Sequence, residues 1–216
     1  MIQADEILGK ILSEEKRLNL NSKVVLKDYI KKYIKIESES TELCVICPPW
    51  GFAKYAIRPL ESKLTDAKIS YIIYSVDQNL LSADYKATRK YMREVIRIIE
   101  HDTRQALKLH NFSKVTIVGL SLGTVYATSV GNRIKEINRV ILITPGNSIG
   151  EIVWDALFTN KLRKTFEERG VSAEKLDRYS KSINPENNVK GLRGKEIIIY
   201  ASKSDLIISF SSIVNL

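Results

Sequence analysis

A serine flanked by glycines gives the strongest chemical signal in this sequence. Ser121 lies in Gly119-Leu-Ser-Leu-Gly123, after a β-branched run at residues 115–118 that predicts a buried strand, and apolar residues at helical spacing follow. A G-x-S-x-G sequence between a strand and a helix is typical of a tight, strained turn that presents a nucleophilic serine. The alternative is a Gly-Ser turn that only joins the strand to the helix.

Backbone N–H groups near the serine must stabilise the oxyanion that forms when it attacks an acyl carbon. The first predicted donor is the N–H of Leu122, at the start of the helix. The second is expected from the loop at residues 48–52. Pro49 has no N–H, so Trp50 or the glycine after it must donate, and Trp50 is preferred. The alternative is a plain Pro-Gly turn in which Trp50 is a surface anchor.

A serine hydroxyl becomes a good nucleophile only when a base takes its proton. Asp205 follows the predicted strand at residues 195–201 and is expected to orient that base, because sites in parallel sheets form at the carboxyl ends of strands. A turn aspartate that caps its own backbone is the alternative. The two histidines both precede the serine. His101 is predicted among charged residues on the outer face of a helix and His110 at the end of that helix, so neither is expected to be the base.

Apolar strands alternate with helices along the chain. Beyond an amphipathic helix in residues 1–22, the pattern predicts strands at 29–36, 42–47, 69–76, 115–118, 139–144 and 195–201, and helices at 56–64 and 88–109. The first of these strands is expected at an edge. The alternation predicts an α/β fold with a mostly parallel central sheet that helices cover on both faces. The predicted inner face of the long helix consists of Tyr91, Val95, Ile98, Ile99, Ala106 and Leu109.

Four short motifs occur in the order of one known family: Pro48-Pro-Trp-Gly51, Gly119-Leu-Ser-Leu-Gly123, Thr144-Pro-Gly146 and Ser202-Lys-Ser-Asp-Leu-Ile-Ile208. From about residue 30 to its end, the chain resembles the small esterase- and lipase-like α/β-hydrolases. The resemblance implies a single α/β-hydrolase domain over residues 1–216, with a helical cap at residues 147–193. It also implies that Ser121 is the nucleophile and Asp205 the acid of a catalytic triad.

Two features depart from the pattern of that family. Pro48-Pro49 stands where the family has a His-Gly pair, which leaves the second oxyanion donor open. No histidine follows Asp205, whereas the family places the base after the acid. The sequence is therefore interpreted as cut short before the catalytic histidine, and weak or no turnover is expected of these 216 residues.

The predicted cap begins with a capping box formed by Ser148 and Glu151. An apolar stripe follows, with Ile152, Trp154, Leu157, Phe158, Leu162 and Phe166. The stripe either packs against the sheet in the ordinary way or forms a lid over the serine. In the second case, the predicted substrate contacts are Trp154, Phe158 and Phe52.

Three functions fit these residues. The first is a serine hydrolase of the carboxylesterase or thioesterase type, acting on a small-molecule ester or acyl substrate and needing no metal or other cofactor. The second is a non-catalytic α/β-hydrolase-like binding or scaffold protein that keeps the pocket without the base. The third is acyl transfer at the same site.

Charge and composition limit the expected partners. The formal net charge is +9, but basic and acidic residues are interspersed and no nucleic-acid motif is present, so a solvated basic surface is favoured over a nucleic-acid site. Weak attraction to anionic membranes or acidic partners stays open. The sequence shows no secretory segment and no apolar run of membrane length, so stable membrane insertion is not expected and a cytoplasmic location is predicted.

The two cysteines fit that location. Cys44 and Cys47 are three residues apart in a predicted strand, so their side chains should point to opposite faces of the sheet. Two buried thiols are therefore expected, and a disulfide or a metal pair is not.

The last predicted strand is expected at an exposed edge of the sheet, because the family's final strand and helix have no counterpart in this sequence. Residues 196–202 are highly apolar, and an uncovered strand of this kind can pair with another chain. A homodimer through this edge is predicted, unless residues 206–216 fold back as a partial cover.

Overall fold

A computed structural model of the chain describes residues 30–47, 49, 57–76, 84–155 and 159–201. The predicted helix in residues 1–22 lies outside these ranges. So do four of the predicted site residues, Trp50, Phe52, Phe158 and Asp205.

Six strands form one sheet in the described ranges: β1 (Ile30–Lys35), β2 (Glu42–Cys47), β3 (Ser70–Val76), β4 (Lys114–Leu120), β5 (Arg139–Ile143) and β6 (Glu196–Tyr200). Their order across the sheet is β1-β3-β2-β4-β5-β6. All neighbouring strands are parallel except β1, which pairs antiparallel with β3 at one edge. The mostly parallel α/β sheet and the edge position of β1 are therefore confirmed.

From β2 onward, helices connect the strands, whereas residues 36–41 between β1 and β2 form a turn. The helices are α1 (Ile57–Asp66), α2 (Tyr85–Leu109), α3 (Gly123–Arg133), α4 (Ile149–Asp155), α5 (Asn160–Glu168), α6 (Ala173–Ser180), α7 (Pro185–Asn188) and a 3₁₀ helix (Val189–Leu192). The last five lie between β5 and β6, where the sequence predicts helices and no strand. In the described ranges, no helix combines the length and the apolar character that a membrane span requires.

Helices cover both faces of the sheet, which separates the two cysteines. Cys47 belongs to the large core cluster that α2 and α3 share, whereas Cys44 lies in a second cluster that α1 completes with Leu60 and Leu64. Both thiols are free and buried, as predicted. Burial raises the pKa of the Cys44 thiol to about 12, so this side chain is protonated and unreactive at neutral pH.

The core-facing side of α2 is rotated relative to the prediction. Tyr91 and Ile98 are only partly buried, and Leu109 packs at the margin beside Ile36. The fully buried side of the helix consists of Thr88, Met92, Glu94, Val95, Ile96, Ile99, Asp102, Thr103 and Ala106. Three of the nine, Val95, Ile99 and Ala106, belong to the predicted face.

Polar side chains on the buried side of α2 account for this rotation. The Asp102 carboxylate accepts hydrogen bonds from Lys32 Nζ at 3.2 Å and from the Tyr74 hydroxyl at 3.0 Å. The Thr103 hydroxyl donates to the Ile99 carbonyl at 2.7 Å. Hydrogen-bond partners reduce the free-energy cost of burying these polar groups, so the surrounding apolar contacts can offset it.

Ser148 and Glu151 cap the start of α4 as predicted, except that the glutamate accepts from the residue before the cap and not from the cap residue itself. Ser148 Oγ accepts a hydrogen bond from the Glu151 N–H at 3.1 Å, and Glu151 Oε2 accepts one from the Asn147 N–H at 3.1 Å. The Ser148 hydroxyl also donates to Asp177 Oδ2 at 2.8 Å. The cap therefore fixes the first turn of α4 against α6.

Candidate active site

Ser121 occupies a strained turn at the carboxyl edge of the sheet. It follows β4 directly, and its φ is +49°, in the left-handed region that non-glycine residues rarely adopt. The Ser121 N–H donates to the Ile143 carbonyl at 2.9 Å. The Ser121 carbonyl accepts hydrogen bonds from the Thr124 N–H at 2.9 Å and from the Thr124 hydroxyl at 2.7 Å. The tight, strained turn that the sequence predicts between the strand and the helix is confirmed.

Gly119 allows the helix to start this close to the strand. A Cβ added at Gly119 would lie 2.7 Å from Thr124 Cα and 2.8 Å from Ala127 Cβ. Atoms do not approach that closely without a shift of the backbone, so any side chain here would push α3 away from β4. The glycine therefore lets the turn at Ser121 close.

Leu122 is the N-cap residue of α3, and among the described residues no side-chain hydrogen bond caps this end of the helix. The first N–H groups of a helix have no acceptor within the helix, and the helix dipole places partial positive charge around them. An anion or a developing oxyanion at this position would be stabilised by such groups. The predicted role of the Leu122 N–H is consistent with this location.

Thr144 is a second strained residue beside Ser121. Its φ is +47°, which is an outlier for a β-branched residue, and its N–H donates to the Tyr200 carbonyl at 2.8 Å. Ile143 pairs with Leu120 across β4 and β5, so Ser121 and Thr144 follow neighbouring strands at the same edge. No residue pattern predicts this conformation, because threonine disfavours it and a residue before proline prefers an extended backbone.

Neither histidine lies at the carboxyl edge that carries Ser121. His110 caps the end of α2, and its Nε2 atom is 2.9 Å from the Ser40 carbonyl, which precedes β2. His101 follows Glu100 on α2 and is three residues before Arg104. Both Glu100 and Arg104 contact Arg133, which is the last residue of α3. Because α3 begins beside Ser121 and is about 16 Å long, its last turn is far from the serine.

Other ionisable groups near the turn are also unsuitable as bases. Burial raises the pKa of the Cys47 thiol and that of the Tyr126 hydroxyl, so both remain protonated at neutral pH. Among the described residues, no cluster of three or more His, Cys, Asp and Glu side chains is arranged to hold a metal ion.

Trp154, a predicted substrate contact, packs within the segment between β5 and β6. Its ring stacks on Phe166 at a centroid distance of 6.2 Å and an interplanar angle of 17°. Phe166 is fully buried, whereas Trp154 is partly buried against the core. The structure therefore gives Trp154 a packing role and leaves part of its surface accessible.

Solved esterase structures have a similar fold. An esterase of Pyrococcus furiosus matches with a TM-score of 0.59 and 13% sequence identity, over 90% of this chain and 80% of that chain. Est1E from Butyrivibrio proteoclasticus, with ferulic acid bound, matches with a TM-score of 0.56 and 13% identity, over 86% of this chain and 79% of that chain. No protein-family model and no curated protein matches the sequence. At this identity the likeness concerns the fold alone, and it confirms the predicted α/β-hydrolase fold.

Proposed function

We propose that the chain is a serine hydrolase of the carboxylesterase or thioesterase type, with Ser121 as its nucleophile. The observation that carries this proposal is the positive φ of Ser121 in a hydrogen-bonded turn between β4 and α3. Strain of this kind costs about 1–3 kcal/mol and persists where the surrounding structure holds it, which is common at active sites. The likeness of the fold to solved esterases supports the same conclusion.

In this mechanism, Ser121 Oγ attacks the carbonyl carbon of the ester or thioester, and the carbonyl oxygen becomes an oxyanion. The Leu122 N–H, at the uncapped start of α3, is the proposed first oxyanion donor, and the Trp50 N–H the second. Asp205 is proposed to orient a histidine that takes the Ser121 proton and returns it to the leaving group. The acyl-enzyme is then hydrolysed by water through the same base.

The base in this mechanism is a histidine other than His101 and His110, because both lie away from the edge that carries Ser121. Neither of the two histidines in the sequence is therefore proposed as the base. A triad without its base keeps only the catalysis that substrate binding and the oxyanion donors provide, about 10³–10⁴-fold over water. The 216-residue chain alone is therefore proposed to turn over esters slowly.

The acyl group is proposed to lie beneath the helical cap at residues 147–193. Trp154 keeps part of its ring accessible, and an apolar acyl group would gain contacts with it. Phe158 and Phe52 are the other proposed contacts. The proposed substrate class is a small carboxylic ester or thioester.

The position of the two histidines also favours a second candidate, a non-catalytic binding or scaffold protein. Such a protein would keep the turn at Ser121 and the pocket but would not transfer an acyl group. Turnover distinguishes the two candidates, because only the hydrolase depends on the Ser121 hydroxyl.

The test uses imidazole as a replacement for the base, with a short-chain p-nitrophenyl ester as substrate. Ser129, which is fully buried in α3 and has no hydrogen-bond partner for its hydroxyl among the described residues, provides a matched control. We expect wild type and Ser129→Ala to show the same imidazole-dependent turnover, and Ser121→Ala to fall to the rate of imidazole alone. Equal rates in all three proteins would contradict the hydrolase proposal and favour the binding protein.

A further inference from the structure

A basic groove lies between α2 and α6. It has a volume of about 230 Å³ and is lined by Lys86, Arg89, Lys90, Arg93, Arg97 and Tyr179, and Glu94 is the one acidic residue among the described residues that line it. We call this the α2–α6 groove. Helix α2 ends next to the start of β4 and therefore begins near the other end of that strand. The groove is on the first turns of α2, so it lies toward the edge of the sheet that carries Ser121.

The positive charge of the α2–α6 groove is largely uncompensated. Glu94 pairs with Arg97, its neighbour one turn along the helix. Within the described ranges, no carboxylate forms an ion pair with Lys86, Arg89, Lys90 or Arg93. The Asp84 carboxylate caps the start of α2 and accepts hydrogen bonds from the Lys86 and Ala87 N–H groups, but the first turn of the helix contains no acidic residue. A bound anion would reduce the electrostatic repulsion among these neighbouring cations.

Aromatic contacts hold Arg89 in position within the groove. Its guanidinium carbon lies 4.7 Å from the centroid of the Tyr179 ring, and Tyr179 in turn meets Tyr85 edge-on at 4.9 Å. The Arg89 Nε atom is buried and has no hydrogen-bond acceptor in the described part of the chain. A guanidinium fixed in this way loses less side-chain entropy when it binds an anion.

We infer that the α2–α6 groove binds the phosphate or diphosphate group of a small molecule. Arginine donates to phosphate oxygens in a planar, bidentate arrangement, and the lysines add compact positive charges. The groove is smaller than the roughly 300–1,000 Å³ of pockets that hold drug-sized ligands, so it suits a compact anionic group. Because this binding depends on groups that the proposed hydrolysis does not use, we expect it whether or not Ser121 is a nucleophile.

The test is isothermal titration of the full chain with pyrophosphate at physiological ionic strength. Lys90→Gln/Arg93→Gln removes two exposed cations from the groove. The matched control, Arg58→Gln/Lys63→Gln, removes two exposed cations from α1 on the opposite face of the sheet. We expect one pyrophosphate per chain, a Kd raised at least about tenfold in the groove variant, and less than about a twofold change in the control.

A third variant separates geometry from charge. Arg89→Lys keeps the charge but loses the planar donors, so we expect weaker pyrophosphate binding than in wild type. No saturable binding, or an equal loss in the groove and control variants, would overturn the inference and indicate diffuse attraction. Groove-dependent sedimentation with phosphatidylglycerol vesicles, without pyrophosphate binding, would also overturn it and identify a membrane surface as the ligand.

Discussion

The backbone at Ser121 stores strain that a few neighbouring groups hold in place. Ser121 and Thr144 both have positive φ, and each costs about 1–3 kcal/mol. Hydrogen bonds from the Thr124 N–H and hydroxyl to the Ser121 carbonyl, together with the absence of a side chain at Gly119, keep the turn closed. The orientation of the serine hydroxyl therefore depends on residues that do not touch a substrate.

The Thr124 hydroxyl is expected to position Ser121. Thr124→Val keeps the shape of the side chain but removes the 2.7 Å hydrogen bond to the Ser121 carbonyl. Because small displacements of a reacting group cost large factors in rate, we expect roughly a tenfold loss of imidazole-dependent, Ser121-dependent turnover. Thr128→Val, which removes a bond to the Thr124 carbonyl within the same helix, is the control. Equal rates for the two variants would exclude a positioning role for Thr124.

Helix α2 shows what the residue pattern of one element can predict and what it cannot. Its existence and its end at Leu109 follow from the apolar spacing, but its buried side includes Glu94, Asp102 and Thr103. Hydropathy assigns such residues to the surface, because an isolated charge is costly to bury. Here the partners of Asp102 come from β1 and β3, more than 25 residues away in sequence. A pattern within one helix cannot predict a partner on another element.

The buried Asp102 predicts a specific dependence of stability on pH. Burial raises its pKa above the ordinary 3.8, although Lys32, the Tyr74 hydroxyl and His101 act in the opposite direction. The folded chain therefore holds the proton to higher pH than the unfolded chain, and the contribution of Asp102 to stability falls as pH rises from 3.8 through its raised pKa. Asp102→Asn cannot titrate and removes this dependence.

Chemical denaturation over a series of pH values measures the effect. We expect the stability of wild type relative to Asp102→Asn to increase as pH falls toward 3.8 and to be constant above the raised pKa. A relative stability that instead increases with rising pH would mean that the ion pair with Lys32 outweighs burial.

At the scale of the whole molecule, the strands were the most predictable feature. β2 has the predicted bounds and β3, β5 and β6 lie within one residue of them at each end, because each is a short run rich in Val, Ile, Leu or Tyr, whether it is buried on both faces, as β3 is, or largely exposed, as β6 is. The strained turn at Ser121 followed from its flanking glycines. The strain at Thr144 and the α2–α6 groove were not predicted, because both arise from contacts between distant segments.

Strand β6 is expected to make the chain associate. Among the described residues it is an edge strand, and Ile197, Ile199 and Tyr200 are 43%, 42% and 57% exposed. Exposed apolar edges pair with other chains, so we expect light scattering to show a mass that increases with concentration. Ile199→Lys should reduce this association, whereas Tyr33→Lys on β1, at the other edge, should not. A monomer at all concentrations would contradict edge pairing and favour a cover formed by residues 206–216.

Covalent trapping tests the central claim, that Ser121 is a nucleophile, most directly. The chain is incubated with a fluorophosphonate in the presence of imidazole, and the modified peptide is identified by mass spectrometry. We predict one adduct on Ser121 in wild type and in Ser129→Ala, and none in Ser121→Ala. Absence of the adduct, or the same labelling in Ser121→Ala, would contradict the assignment of Ser121 as the nucleophile.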